Sequence, residues 1–283
     1  MNVKNSIKIR LTFLRSRFNF LYFSLGGKTF KDKIYSFYLR AAMDNPFERR
    51  MNFVMRRIER NGPIVSLCHK YFHNLTLQYN LLDNFEMAIC HEFFILHTYN
   101  LSKLNFVPEK IIDCGAYRGY FSFLALTYFP KASITSIEAH PENHDKIKAA
   151  IQVNNITSIE LLHGAICRSS NSSIDLFFEG SSGSMENTFS SKGNVVKVNA
   201  IDLEQFLKED HLLLKVDIEG AELDFFPAVI KKLPSTCAVF LETHDGWNSL
   251  THIKDEFIKE GFSFEIIRER DSFIDSFAQR KRI

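Results

Sequence analysis

From residue 111 onward, short apolar runs alternate with amphipathic stretches, and this alternation constrains the chain more than any other feature. Ile111-Ile112-Asp113-Cys114 reads as a buried strand ending in a turn at Gly115. Residues 119–128 read as a helix and Ser133 to Ala139 as a second strand. Pro141 opens the next helix at its first position, where a missing N–H costs nothing. Ile147, Ala150 and Ile151 give that helix an apolar face at three- and four-residue spacing. Residues 159–162, 211–217 and 237–242 read as further strands, 249–260 as a helix, and 262–268 with 273–279 as a closing antiparallel hairpin. Repeated strand–helix–strand order implies parallel strands, right-handed crossovers and helices on both faces. The expected fold class is α/β, with a mostly parallel seven-stranded sheet ending in that hairpin. An insertion, residues 173–179 and 194–202, reads as two strands around a Gly/Ser-rich loop from Gly180 to Gly193. That loop is a substrate lid or an ordinary surface hairpin.

The first part of the chain differs. Residues 1–70 hold 15 Lys/Arg against 4 Asp/Glu, whereas residues 71–283 hold 20 against 29, so the net charge of +2 hides a basic end on an acidic body. The division expected is a basic, mainly helical extension over 1–85 and a catalytic domain over 86–283. Residues 1–25 mix Lys and Arg with Phe and Leu, but their apolar run is too short and too interrupted at Asn19 for a good signal peptide. Two readings stay open: an amphipathic segment on an anionic membrane surface, with contacts through residues 1–60, or a helical extension packed on the main domain. Glu48 to Arg60 reads as a helix with a charged face, stopped at Asn61-Gly62-Pro63. Residues 64–100 also read as helical, with Cys68, His69 and His73 on one side. That trio and the His140/His144 pair lack the acidic or third His partner of a metal site and read as packing residues. Five scattered cysteines without a C-x-x-C pair fit a reducing compartment, and no run of 18 apolar residues could span a membrane, so a cytoplasmic location is expected.

Ligands of such sheets sit at the carboxyl ends of the strands. Asp113-x-Gly115-Ala116-x-x-Gly119 stands there: Gly115 allows a sharp turn and Gly119 opens a helix whose N–H groups face outward. Glu138 ends the second strand, placed to accept both ribose hydroxyls of an adenosine. A dinucleotide site wants G-x-G-x-x-G, and Asp113 would repel a pyrophosphate, whereas it suits the ammonium of a methionine, directly or through water. The residues therefore favour S-adenosylmethionine over NAD. A second turn, Lys215-Val216-Asp217-Ile218-Glu219-Gly220-Ala221-Glu222, crowds acids at the same edge, beside Glu242 and His244. Helix capping accounts for Glu222 but less well for Asp217, which reads as the last residue of its strand.

Together, residues 111–122, 137–141 (Ile-Glu-Ala-His-Pro), 214–222 (Leu-Lys-Val-Asp-Ile-Glu-Gly-Ala-Glu) and 242–244 (Glu-Thr-His) resemble the FkbM family of S-adenosylmethionine-dependent methyltransferases, over about residues 90–283. The resemblance implies a Rossmann-like class I methyltransferase fold and methylation of a hydroxyl on a sugar, glycolipid or secondary-metabolite acceptor. Carried onto this sequence, the cofactor-binding set is Asp113, Gly115, Ala116, Gly119, Glu138 and Ala165, and the catalytic set is Asp217, Glu219, Glu242 and His244. In the preferred reading His244 or Glu242 is the general base for in-line transfer, Asp217 orients acceptor or cofactor, and no metal is assigned. The other reading has Asp217, Glu242 and His244 hold a magnesium or manganese ion. Two departures from the family pattern are Pro227, which would break the helix after the acidic turn, and Asn199, where Thr is common. The competing functions are a nucleic-acid or other N-directed methyltransferase and a non-catalytic module docked to a membrane. Asp-Ile-Glu-Gly in place of Asn/Asp-Pro-Pro-Tyr, and the phosphate-repelling acids around it, disfavour nucleic acid.

Overall fold

The computed structural model describes residues 64–68, 76–80, 93, 98–167, 172–178, 194–244, 247–269 and 273–281. The chain divides into two compact units, Met1–His97 and Thr98–Ile283. The readings for residues 1–63, for His69 and His73 and for the loop 180–193 lie outside the described residues.

In the first unit, β1 (Ile64–Cys68) pairs antiparallel with β2 (Thr76–Asn80), Ile64 opposite Asn80 and Cys68 opposite Thr76. This corrects the helical reading of these segments and, with it, the helical face assigned to Cys68. Ile-Val-Ser-Leu-Cys is β-branched at its start, and Thr-Leu-Gln-Tyr-Asn alternates apolar with polar, a strand period.

The second unit is one mixed sheet of nine strands in the order β10-β11-β9-β8-β3-β4-β5-β7-β6. Its strands are β3 (Lys110–Cys114), β4 (Ser133–Glu138), β5 (Ile159–Ile166), β6 (Ser173–Phe178), β7 (Asn194–Ile201), β8 (Leu212–Val216), β9 (Cys237–His244), β10 (Phe262–Glu269) and β11 (Phe273–Arg280). The run from β9 through β8, β3, β4 and β5 to β7 is parallel; β11 joins β9 antiparallel, β10 joins β11, and β6 joins β7. Seven strands were expected and nine are found, because the insertion does not stand apart: β7 pairs with β5 through Gly164 to Ile166 and extends the sheet's edge. Gly164 makes that edge accessible, since a Cβ there would lie 2.6 Å from the Ile201 side chain. Among the described residues, four α-helices accompany the sheet: α1 (Tyr120–Tyr128), α2 (Pro141–Val153), α3 (Glu222–Ile230) and α4 (Trp247–Lys259). None of the described helices is long and apolar enough to cross a membrane.

Strand alternation sorts the two faces. Ile112 and Cys114, Leu212, Leu214 and Val216, and Cys237, Val239 and Leu241 pack with Phe226, Ile230, Ile253 and Phe257 in one apolar cluster. Their neighbours Asp113, Lys215, Phe240 and Glu242 consequently share the opposite face. There Phe240 and Phe121 stack edgewise on Tyr99. Pro227 does not end α3, which runs on to Ile230. Asn199 reaches back from β7, its amide donating to the His163 carbonyl.

Candidate functional site

Two turns meet at the carboxyl edge of the central strands. The first leaves β3 at Gly115 (φ 74°), passes Tyr117 (φ 52°) and enters α1 through Gly119 (φ 80°). The amides of Gly115 and Ala116 both donate to the Ile137 carbonyl, which ties the turn to β4. Gly115 has no substitute: a Cβ there would lie 1.7 Å from the Asp217 carbonyl oxygen, and its positive φ already disfavours other residues. The Asp217 amide in turn donates to the Cys114 carbonyl. The glycine turn and the acidic turn are therefore stapled backbone to backbone.

Glu138 ends β4 with no exposed surface. Its Oε2 accepts the Tyr117 N–H at 2.6 Å and its Oε1 the His140 N–H at 2.7 Å. Burial pushes its carboxyl up to about 7, against the pull of those two amides and of Lys215. Asp113, the expected partner of a methionine ammonium directly or through water, has no exposed surface. It is fully buried under α1, where Oδ2 accepts from Ser122 Oγ at 2.7 Å and Oδ1 lies 3.5 Å from Lys215 Nζ. The cause is α1 itself, whose first turn carries Ser122 onto the strand and covers the carboxylate. Ala116 is buried within the turn. Ala165, on β5, packs against the small apolar cluster of Ala139, Leu176 and Val198.

Lys215 is the residue that sequence reasoning passed over. Its side chain is 5% exposed, bridges Asp113 and Asp217 (Nζ to Oδ2 3.2 Å) and donates to the Gly115 carbonyl at 2.6 Å. Although burial favours the neutral amine, Asp217, Asp113 and Glu242 more than offset it and hold the lysine charged. A lone Lys inside Leu-Leu-Leu-Lys-Val is the signal that could have found it, since an unpaired charge is rarely buried. Tyr99 was missed too. Burial, then the charges of Asp217 and Glu242, push its phenol well up. It precedes every motif in the chain and carries no signal of its own.

β8 stops at Val216, one residue before the strand end expected, so Asp217 belongs to the turn and is partly exposed. Glu219 follows in left-handed backbone (φ 58°), uncommon for a residue with a Cβ, and Gly220 has φ 101°. Glu222, 1% exposed, accepts the amides of Ile218 and Gly220 at 3.1 and 3.3 Å, closing the turn as a cap. The same Oε1 lies 3.2 Å from Nδ1 of His244, the last residue of β9. His244 Nε2 is 3.4 Å from both Glu219 and Glu242. Burial would lower the His244 pKa, but hydrogen bonds to Glu222 and Glu242 and the surrounding charge raise it to about 11. The surrounding carboxylates thus favour the charged imidazole. Burial, then Asp217, push Glu219 up to about 8 and Glu242 well above the usual carboxylate range. Asp217, Glu242 and His244 each offer a ligand atom, all within 4.8 Å of one another. The four catalytic candidates are thus brought together. Of the cofactor candidates, Gly115, Ala116 and Gly119 share one turn, which Glu138 holds through the Tyr117 amide, and Asp113 lies buried beneath α1.

No curated protein matches this chain. A solved FkbM methyltransferase from Methylobacillus flagellatus KT is 12% identical, with a TM-score of 0.49 over 84% of this chain and 61% of its own. The precorrin-6y C5,15-methyltransferase of Geobacter metallireducens GS-15 is 16% identical, with a TM-score of 0.41 over 64% and 86%. TYW2 of M. jannaschii, solved with AdoMet, is 8% identical, with a TM-score of 0.43 over 77% and 85%. The model of the methyltransferase FkbM domain matches residues 113–264, more than half of the chain and the whole span from the glycine turn through His244. The chain therefore belongs to the FkbM family of S-adenosylmethionine-dependent methyltransferases.

Proposed function

We propose that the protein methylates a hydroxyl group on a sugar, glycolipid or secondary-metabolite acceptor. The observation that carries this reading is the backbone staple between Gly115 and Asp217, which sets a nucleoside-type turn directly against a cluster of acids. When bound, S-adenosylmethionine supplies a methyl group already activated by its sulfonium. The turn fits that group: Glu138 is a buried carboxylate with two backbone donors and spare lone pairs, and a ribose diol offers the further donors that its anion needs. A diol that reaches Glu138 takes over the place of the Tyr117 N–H, so the turn has to give there. Asp113 acts from behind, holding Lys215 against the Gly115 carbonyl and so fixing the turn.

The chain's remaining work is to orient the acceptor and remove its proton. Glu219 is placed for the second task. Its strained backbone turns the carboxylate toward His244, and it keeps 24% of its side-chain surface open. His244 and Glu242 bind and orient the acceptor oxygen. The test is calorimetry with S-adenosylmethionine, then mass spectrometry of cellular glycans and lipids with and without the gene, seeking a lost methyl increment. Glu138→Gln is expected to weaken cofactor binding by about 10-fold or more. Glu219→Gln is expected to leave cofactor affinity unchanged and cut turnover by about 100-fold. Full turnover in Glu219→Gln would remove it as the base, and wild-type protein that gives no heat with the cofactor would sink the reading.

A further inference from the structure

We propose that Asp217, Glu242 and His244 form a site for a hard divalent cation, magnesium or manganese, that holds the acceptor oxygen. The site rests on the methyltransferase reading above and adds a cofactor to it.

Strand register builds the triad. β8 and β9 are adjacent and parallel, so Asp217 leaves one strand end beside the other. Glu242 and His244 stand two apart on β9 and so share a face. Their ligand atoms and that of Asp217 lie within 4.8 Å of one another, a spacing that a single ion at about 2.0–2.2 Å from each would close with little movement.

Two further observations point to a cation. The first is the support of the imidazole. Nδ1 is held by Glu222, which is itself fixed by the amides of Ile218 and Gly220 and lies outside the triad. That contact turns Nε2 into the cluster, the way a metal-ligating histidine is normally oriented. The second is the charge balance. Asp113, Asp217, Glu219, Glu222 and Glu242 crowd round Lys215 and His244, five carboxyl groups against two cationic side chains, and a divalent ion that takes the place of the His244 proton would add the positive charge this largely buried cluster lacks. Lys215 is taken up by Asp113, the Gly115 carbonyl and one oxygen of Asp217, which leaves the other oxygen for an ion. Two carboxylates and one imidazole make an oxygen-rich set suited to magnesium or manganese and leave positions open. An acceptor hydroxyl in one of them would be acidified by the ion and lose its proton to Glu219 more readily.

The experiment titrates Mn²⁺ alone into the full-length protein and follows the free-ion signal by electron paramagnetic resonance, with no cofactor or acceptor present. One Mn²⁺ per chain is expected, displaced by excess Mg²⁺. Glu242→Gln and His244→Ala should each weaken binding at least about 10-fold, and Glu222→Gln, acting through the imidazole, by about 10- to 100-fold. Calorimetry with S-adenosylmethionine on the same variants should give wild-type affinity, which shows that they are folded. Absence of stoichiometric Mn²⁺ on the wild type, or equal binding by Glu242→Gln and His244→Ala, would overturn the site. Failure of the wild type to bind S-adenosylmethionine would instead strike the methyltransferase reading and leave the Mn²⁺ result standing.

Discussion

Burial raises the Glu138 carboxyl to about 7 in the folded chain, against 4.5 when the group is free in water. The folded protein therefore binds an extra proton between those two values, and its stability falls as pH rises through them. The loss comes to about 3 kcal/mol by pH 8, at about 1.36 kcal/mol for each pH unit that separates the folded from the free carboxyl. Urea unfolding of the wild type from pH 4.5 to 8 should show this slope, and Glu138→Gln should abolish its share of it. An unchanged slope in that variant would mean that the carboxylate is more solvated than its surroundings indicate. Lys215 gives a second expectation. Lys215→Met leaves Asp113 buried opposite an apolar side chain, and removing one partner of a buried pair costs about 3–5 kcal/mol. Adding Asp113→Asn should recover part of that loss in the same urea assay. Lys215 and Asp113 also mark how far single residues can be read in sequence. Both strand-end acids, Asp113 and Glu138, were visible as candidates. Only the packing of Ser122 and Lys215 separates the one that supports the turn from the one that faces it.

Among the elements, α3 holds a proline five residues beyond its first, Glu222. Pro227 has no amide to offer the Leu223 carbonyl four residues back, and its ring crowds that turn. Pro227→Ala should raise stability by about 1–3 kcal/mol, measured as a shift of the urea midpoint at constant slope. A neutral or destabilising result would show that the ring's packing outweighs the freed hydrogen bond. The helix continues through Pro227 because Phe226, Val229 and Ile230 are locked in the main apolar cluster, and tertiary packing overrides propensity. The same limit on local reasoning explains the other element-scale differences. Strands β3, β4, β8 and β9 were legible because apolar runs bounded by turn residues carry their own signal. β1 and β2 were not: a run without Gly or Pro fits helix or strand until a partner is known, and only the pairing of Ile64 with Asn80 decides. β6 and β7 were legible as strands, but their place in the sheet depends on the pairing of Gly164 with Asn199, far apart in sequence, which no local pattern encodes.

At the scale of the molecule, every residue of the glycine and acidic turns lies within Thr98–Ile283, one of the chain's two compact units. The family match, 113–264, falls inside the same unit. Its nine-stranded sheet has one continuous core on the α3–α4 side, so a fragment of residues 98–283 is expected to unfold in a single transition. Starting at 98 rather than 86 also tests the domain boundary proposed from sequence. Tyr99 stacks on Phe121 and Phe240, so a start much beyond 98 would strip an aromatic contact from the sheet face that carries Asp113, Lys215 and Glu242. The expected outcome is that fragments beginning at 86 and at 98 bind S-adenosylmethionine alike, within about 3-fold of the full chain, a difference of roughly 0.7 kcal/mol. Cofactor at about 100 times its dissociation constant should stabilise each by about 2.7 kcal/mol, seen as a rise in melting temperature. A fragment beginning at 98 that melts broadly while its longer counterpart melts cooperatively would move the boundary back to 86. If both fragments fold but only the full chain binds the cofactor, the binding unit is larger than the family match, and residues before 86 become part of what the site requires.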